Sequence, residues 1–553
     1  MNAKQPVPST WTTATTEVFK TGTWRSALPQ HIHAPSPCHA ACPVGGDIAE
    51  WIGCARARDF RGAWEILTRH NPFPAVAGRI CHHPCEAACN RAGFDASLAI
   101  CRLERYVGDR ALEERWAFAP VEVTRRERIA VVGGGPSGLS AAFHLRRRGY
   151  AVILFESRSE LGGLMRYGIP SYRLARSVLD GEIARIVALG IDVRCGEALD
   201  TREDFERLRG EFDAVYLAMG ARCQKRLPRL DYTQPWVMDG ADYLARANAG
   251  ARPPLGRRVV VIGGGSAAID VARSARRGGH EVTILALESA TQMPAQREEV
   301  AEALEEGIAL LDGAMLTEVV DARSAGLSLH CVRVRFEAGM QRGRFTVTPI
   351  SGSEFRLGAD AIVPSIGQDP DLAPVQSVLE AEGALLKVDQ DQATSLDRVY
   401  AGGDVASVAR FVTEAIGMGK RAAREIDREL RGSVGDADLE AEPEPVVQLG
   451  AINTFYYPHQ MRATERRLDP EERLGTASEV QLGFDLEQTL AESERCFSCG
   501  TCVLCDNCVH YCPDLAVRRD GDGYVVLTDY CKGCGICVQE CPTGSMKMIE
   551  ERR

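Results

Sequence analysis

Apolar residues in the middle of the chain fall into short unbroken runs that stop at glycine. Ile129, Ala130, Val131 and Val132 lead into Gly133, and residues 259–262 lead into Gly263. Such runs predict strands covered on both faces, as in a parallel sheet, rather than half-exposed strands of alternating polarity. Similar runs occur at 213–220, 280–287, 360–367 and 399–401, and helix-compatible stretches follow at 139–148 and from about Phe411. Before the first run the pattern changes. Ile48, Ile52, Ala55, Phe60, Ala63, Trp64 and Leu67 recur at helical spacing, which predicts helices with one buried face.

The glycines add chemistry to two of the strands. Gly133, Gly135 and Gly138 have the spacing G-x-G-x-x-G, with Pro136 and Ser137 opening the helix. The first glycine permits a tight turn, the second lets a pyrophosphate approach the backbone, and the third lets helix pack on strand. The free N–H groups of the helix then face the phosphates. Glu156 follows Gly138 by 18 residues, where a carboxylate can accept from an adenosine ribose. Gly162 and Gly163 allow close approach of a flat ligand, with Arg166 nearby. The motif recurs as Gly263, Gly265, Ser266, Ala267 and Ala268, a G-x-G-x-x-A variant, and Glu288 follows its second strand. After 399–401 come Gly402, Gly403 and Asp404, and Asp404 is placed to sit beside a flavin ribitol or phosphate. Two dinucleotides in one chain point to hydride transfer between a nicotinamide and a flavin. The expected fold is α/β, with two Rossmann-type domains, one inserted in the other.

At 553 residues, 45% apolar and 25% charged, the chain suits three or four domains with ordinary cores, and a net charge of −11 argues against a nucleic-acid partner. No apolar run has membrane-spanning length, and residues 1–20 lack a secretory apolar region. The expected address is the cytoplasm.

Cysteine is the anomaly: of 20, seven lie between Cys38 and Cys101 and ten between Cys496 and Cys541. Clustered thiols in a large chain without a signal read as metal or iron–sulfur ligands, not disulfides. The tail carries C-x2-C-x2-C-x3-C-P twice, as Cys502, Cys505, Cys508, Cys512 and as Cys531, Cys534, Cys537, Cys541. In two-cluster bacterial ferredoxins the fourth cysteine of each run serves the other cluster. One set is then Cys502, Cys505, Cys508 and Cys541, the other Cys531, Cys534, Cys537 and Cys512. Cys496 and Cys499 are left unassigned. Near the N-terminus, Cys38 and Cys42 form one group and Cys81, Cys85 and Cys89 another. Neither alone makes a four-ligand site. Iron–sulfur is the favoured reading and zinc the alternative; Cys54 reads as a buried apolar residue, and Cys101 fits either role.

The cysteine-rich start, the first fingerprint, ELGGLMRYGIP, an inserted nucleotide domain with Met293-Pro294-Ala295, and AGGD occur in one order. This resembles the small subunit of glutamate synthase and its relatives over about residues 35–430. The tail resembles a subset in which an iron–sulfur flavoprotein links a nicotinamide to a partner, such as a 2-oxoacid oxidoreductase or a sulfite-reductase-type enzyme. The resemblance implies FAD at Gly133, Gly135, Gly138, Glu156, Gly163 and Asp404, with Pro136, Ser137, Gly162, Arg166 and Gly403 around it. It implies the pyridine nucleotide at Gly263, Gly265, Ser266, Ala267 and near Glu288. NADPH-using relatives carry an arginine pair where Leu287 and Glu288 stand here. A 2′-phosphate favours arginine and is repelled by glutamate, so NADH is expected over NADPH. The family's additional upstream C-x2-C is also missing. The resemblance supports one N-terminal [4Fe-4S] cluster on Cys42, Cys81 and Cys85, with Glu104 at the family's Glu/Gln position and Cys101 as competitor. Cys38 and Cys89 remain for a second cluster needing two more ligands, His33 among the candidates.

The expected protein is therefore an iron–sulfur flavoprotein passing electrons between NAD(H) and a partner redox subunit or ferredoxin within a hetero-oligomer. It would hold FAD, two [4Fe-4S] clusters in a ferredoxin-like α+β tail and one at the N-terminal end, and needs no catalytic side chain. The alternatives are an NADPH-dependent glutamate synthase small subunit and a non-catalytic electron-transfer or assembly subunit. The expected domains are a helical iron–sulfur unit (1–124), an FAD domain in two parts (125–232 and 357–435), an inserted NAD(H) domain (233–356), a linker with a docking segment (436–495) and the ferredoxin-like unit (496–553).

Overall fold

The computed structural model describes residues 25–251, 253–321, 326–339, 344–432 and 445–551. Its centre is a five-stranded parallel sheet in the order Val399–Ala401, Ala214–Leu217, Arg128–Val132, Ala151–Glu156, Asp192–Cys195. The central strand explains its own unbroken apolar run. Ile129 and Val131 face a core with Leu139, Phe143, Ile183 and Ile416, while Ala130 and Val132 face another with Phe155, Phe205 and Leu217. Both faces are dry, so no polar alternation is possible.

A second parallel sheet has the order Ala361–Pro364, Arg258–Ile262, Glu281–Leu285, Ala309–Leu311. An antiparallel layer built on the long strand Leu327–Ala338 packs beside it. This corrects one expected boundary. The chain was expected to return to the FAD domain at 357, yet Ala361–Pro364 pairs in parallel with Arg258–Ile262. Ala361 and Val363 are buried in one core of the inserted domain and Ile362 in the other. The return therefore follows Pro364.

The helical unit consists mainly of Ile48–Arg56, Phe60–Leu67, Pro74–Ile80 and Ile100–Glu113. Arg58, with φ 64°, separates the first two helices. Part of the stretch expected as a linker is docked here. Phe484 is buried in the helical unit's core, and the helix Leu486–Glu494 packs Leu490 against it. The acidic residues 436–444 lie outside the described residues, as do the N-terminal residues read for a signal.

The tail unit contains the hairpin Val517–Asp520 and Gly523–Val526 and two short helices, Asn507–His510 and Ile536–Gln539. Its last strand, Met546–Glu550, pairs antiparallel with Ala27–His31. Residues 27–31 thus belong with the tail, a second correction to the expected 1–124 unit. Arg25 reinforces the junction by donating to Cys531 O at 2.9 Å and pairing with Glu551 at 2.7 Å. The strand is a short edge strand containing Pro29, a type that apolar periodicity does not reveal.

Candidate functional site

The first glycine motif turns at the carboxyl end of Arg128–Val132. Gly133 has φ 110°, and a Cβ there would collide with Ala218 O. A Cβ on Gly138 would collide with Gly133 O, so the third glycine is what lets Pro136–Arg147 lie so close to the strand. Glu156 ends the neighbouring strand; its Oε2 accepts from Gly134 N at 2.7 Å and its Oε1 from Arg158 N at 2.8 Å. The carboxylate is thereby fixed at the edge of the glycine loop. Gly162 N donates to Gly134 O at 2.8 Å, and a Cβ on Gly163 would stand 2.9 Å from Gly135 Cα.

Gly403 closes the other side: a Cβ there would lie 3.0 Å from Ser137 Cβ. Asp404 follows it, its carboxyl pushed up by burial and opposed by Arg410. Gly133, Gly135, Ser137, Glu156, Gly163 and Gly403 therefore gather at the carboxyl ends of the sheet strands, where open α/β sheets bind ligands. Arg166 is placed differently. Its Nε donates to Leu161 O at 2.6 Å and its guanidinium pairs with Asp180, so its donors shape the loop. Tyr216, not singled out from the sequence, shares a 2.6 Å hydrogen bond with Ser137 Oγ and lies under Gly402. The one available signal was a lone phenol in an otherwise aliphatic strand.

The second motif repeats this geometry. Gly263, with φ 141°, turns against Ser365 O, and a Cβ on Gly265 would meet nothing within 4 Å, leaving its backbone open to a phosphate. Ser266 and Ala267 begin the helix Ser266–Arg277, with Ala268 buried behind them. Ile262 pairs with Leu285 as Val132 pairs with Phe155. Ala286 thus stands at the register position of Glu156, and Glu288 lies two residues further on. Its carboxylate nevertheless turns back to the loop: a Cβ on Gly264 would lie 2.5 Å from Glu288 Oε2, against 3.0 Å between a Gly134 Cβ and Glu156 Oε2. Burial raises the Glu288 carboxyl. Ala295 N donates to Gly264 O at 3.2 Å, fastening Met293-Pro294-Ala295 against the same loop.

The N-terminal thiols divide into two groups. Cys81, Cys85 and Cys89 do not share a helix face, because Cys81 ends one helix in an extended conformation and Pro84 starts another. Cys42, Cys81 and Cys85 are electrostatic neighbours of each other and of Glu104. Burial pushes the Cys81 thiol up to about 12 and the Glu104 carboxyl up to about 8, although Asn71 donates to Glu104 Oε1 at 2.8 Å. Cys101 is instead engaged with the backbone, its thiol donating to Ala77 O at 3.6 Å. Cys54 packs against the helical core. Cys38 and Cys89 join Cys496 and Cys499 around a separate void; His33 is not among its lining residues.

The first of these groups adjoins the FAD-side elements. Cys81 Sγ donates across 3.7 Å to Thr413 Oγ1, in the first turn of the helix Val412–Arg431. A Cβ on Gly417 would collide with Pro43 O, and one on Gly419 with Ser137 O. One helix thus touches both the cysteine turn and the first dinucleotide motif.

In the tail, the runs exchange their fourth cysteines. Cys502 and Cys508 neighbour Cys541, while Cys531 and Cys537 neighbour Cys512, which lines one pocket with Cys534. The second set lines one pocket together with Pro29 and Ile536. Among the described residues no three His, Cys, Asp or Glu side chains converge closely enough to hold one metal ion. No helix among the described residues is long and apolar enough to cross a membrane.

Residues 127–419 match the pyridine nucleotide-disulphide oxidoreductases. Residues 33–116 match dihydropyrimidine dehydrogenase domain II with its 4Fe-4S cluster, and residues 524–547 match a 4Fe-4S binding domain. The chain is 33% identical over 497 residues to the NADP(+)-dependent formate dehydrogenase subunit beta of Moorella thermoacetica, spanning 84% of this chain and 70% of that one. It is 32% identical over 402 residues to the NAD-dependent dihydropyrimidine dehydrogenase subunit PreT of Escherichia coli K12, covering 72% of this chain and 92% of the relative. It is also 32% identical over 433 residues to the glutamate synthase [NADPH] small chain of Mycobacterium tuberculosis, covering 72% and 86%.

Proposed function

Because the chain belongs to the FAD- and iron–sulfur-containing branch of the pyridine nucleotide-disulphide oxidoreductases, we propose that it transfers electrons between NADH and a partner redox subunit. The observation that carries this reading is the helix Val412–Arg431, which joins the first dinucleotide motif to the Cys42–Cys81–Cys85 group. FAD, when bound, exchanges electrons in pairs with a nicotinamide and singly with iron–sulfur clusters.

The protein's own part is placement. Gly135, Ser137 and Gly138 present backbone N–H groups to the FAD pyrophosphate, Gly133 turns the chain towards it and Pro136 opens the helix, and Glu156 accepts from its ribose. Gly162, Gly163, Gly403 and Asp404 border the rest of that ligand, with Arg166 buttressing the loop. Gly263, Gly265, Ser266 and Ala267 hold the nicotinamide nucleotide's pyrophosphate. Glu288 accepts from its 2′-hydroxyl and repels a 2′-phosphate. The relatives' names include both NAD- and NADP-dependent enzymes, so the choice of NADH rests on Glu288. Cys42, Cys81, Cys85 and Glu104 hold the flavin-side cluster, and the two exchanged sets hold the tail clusters.

The partner is a catalytic redox subunit of the 2-oxoacid oxidoreductase, sulfite reductase or, following the Moorella relative's name, formate dehydrogenase kind. Anaerobic mixing of the isolated chain with NADH or NADPH tests the reading. Flavin bleaching with higher kcat/KM for NADH supports it; bleaching by neither, or a preference for NADPH, counts against it. Glutamate formation on adding a glutamate synthase large subunit would favour the rival role instead.

A further inference from the structure

Cys496 and Cys499 belong to neither of the matched iron–sulfur regions. They lie more than 400 residues downstream of Cys38 and Cys89, yet the four thiols line one pocket. The rest of its wall is mostly apolar, formed by residues such as Ile52, Leu98, Ile100 and Phe497, so little besides sulfur is offered to a ligand. Two polar groups address the sulfurs. Asn90 Nδ2 donates to Cys499 Sγ at 3.5 Å, and Ser36 Oγ lies 3.1 Å from Cys38 Sγ. Hydrogen bonds to ligand sulfur are a standard means of tuning such clusters. The enclosure is also fastened from both chain segments. Arg91 lies 4.8 Å over the Phe497 ring and donates to Arg495 O at 2.8 Å, while Arg495 pairs with Asp95 at 3.0 Å.

We infer that Cys38, Cys89, Cys496 and Cys499 bind a further [4Fe-4S] cluster, which joins the N-terminal half of the chain to its tail. The inference rests on the proposed function for the kind of group bound, and adds a site and a connection. Cys38 stands in the short helix Pro37–Ala41 and Cys42 is that helix's C-cap, so neighbouring sites share one turn of chain. Cys85 and Cys89 bridge the same two sites. On the other side, Cys499 precedes Cys502 by three residues. Tyr457 OH lies 3.0 Å from Phe497 O and 3.1 Å from Pro542 O, next to Cys541 of the tail set. The new site therefore stands between the flavin-side group and the tail groups. Each passing electron reduces it once and oxidises it once as it moves on, with no bond made or broken and no proton exchanged.

The test is iron, acid-labile sulfide, zinc and FAD per anaerobically purified full-length chain. The wild type is expected to hold about 16 iron atoms, four per cubane. Cys496→Ala/Cys499→Ala and Cys38→Ala/Cys89→Ala should each lose about four, and combining all four substitutions should lose no more than about four. Cys496→Ser guards against misfolding: it should keep FAD and the remaining iron while changing the reduced-cluster EPR spectrum. Cys54→Ala, at a half-buried cysteine outside the void, should lose none. A wild type holding FAD and about 12 iron atoms, unchanged in the variants, overturns this inference but leaves the proposed function standing. A stoichiometric zinc lost from the same variants also overturns it. A chain without FAD overturns both.

Discussion

The thiol of Cys81 donates to Thr413 Oγ1 across 3.7 Å, at the N-terminal turn of the helix that follows Gly402, Gly403 and Asp404. A group of buried thiols and the first dinucleotide motif therefore share one helix as a wall. Gly417 and Gly419 make this possible, since a Cβ on either would strike Pro43 O or Ser137 O. Gly417→Val should separate the two sides. We expect a folded chain that retains FAD and tail iron but loses the flavin-side cluster, read as about four fewer iron atoms. Unchanged iron would remove this helix from the account.

Glu156 should govern FAD retention. Its Oε2 accepts from Gly134 N and its Oε1 from Arg158 N. Glu156→Ala removes both contacts and the ribose acceptor. Losing a hydrogen bond to a charged group costs about 1.5–3 kcal/mol, or roughly 10- to 150-fold in FAD dissociation constant. Fluorescence titration of the FAD-depleted chain measures it, and a change below about threefold would contradict the assignment.

Glu288 should set coenzyme choice. Glu288→Arg, with or without Leu287→Arg, is expected to shift the NADPH-to-NADH ratio of kcat/KM by roughly tenfold or more towards NADPH, because it exchanges a repulsive carboxylate for a phosphate-binding fork. An unchanged ratio would show that the 2′ position is read elsewhere.

Cysteine exchange in the tail predicts a pattern of non-additivity. Cys541→Ser and Cys505→Ser alter the same site, so the double variant should lose about four iron atoms; Cys541→Ser with Cys534→Ser should lose about eight. The reverse pattern would place Cys541 with its own run.

Glu182 ties the FAD domain to the helical unit. It is fully buried, and its two oxygens accept from Ala75 N at 3.1 Å and Val76 N at 3.0 Å, at the start of the helix Pro74–Ile80. Glu182→Ala orphans both donors, at about 1–3 kcal/mol each, and should lower the melting temperature by several degrees. Burial pushes the Glu182 carboxyl from 4.5 to about 7. A raised carboxyl value means that the folded chain favours the protonated form. That contribution is full below pH 4.5, declines as the pH rises and is lost above about 7. Relative to Glu182→Gln, the wild type should therefore lose stability across this window, and a difference independent of pH would contradict the sign.

The sequence and the structure agree where the information is local. The glycine motifs, the glutamate after the first strand and the two cysteine runs depend on spacings of a few residues, which chain geometry converts directly into turns. Disagreement arises where partners are distant in sequence. Residues 27–31 complete a sheet with 546–550, and Cys496 and Cys499 meet Cys38 and Cys89. No spacing rule pairs opposite ends of a chain. The strand Ala361–Pro364 was misplaced for a related reason: a buried apolar run fits either parallel sheet equally well, and only its pairing with Arg258–Ile262 decides between them. Glu288 is a subtler case, since it reaches the glycine loop from two residues beyond the expected register position.

The most direct measurement asks whether electrons held by the clusters return to a nicotinamide through FAD. The chain is reduced with dithionite, freed of excess reductant and mixed anaerobically with NAD+, while NADH absorbance and the reduced-cluster EPR signals are followed together. Flavin alone supplies about one NADH per chain, because it holds two electrons. We predict more than that, with cluster signals decaying as NADH forms and no NADH formed by the FAD-depleted Glu156→Ala chain. NADH formation that stops at about one per chain while the clusters stay reduced would contradict the account.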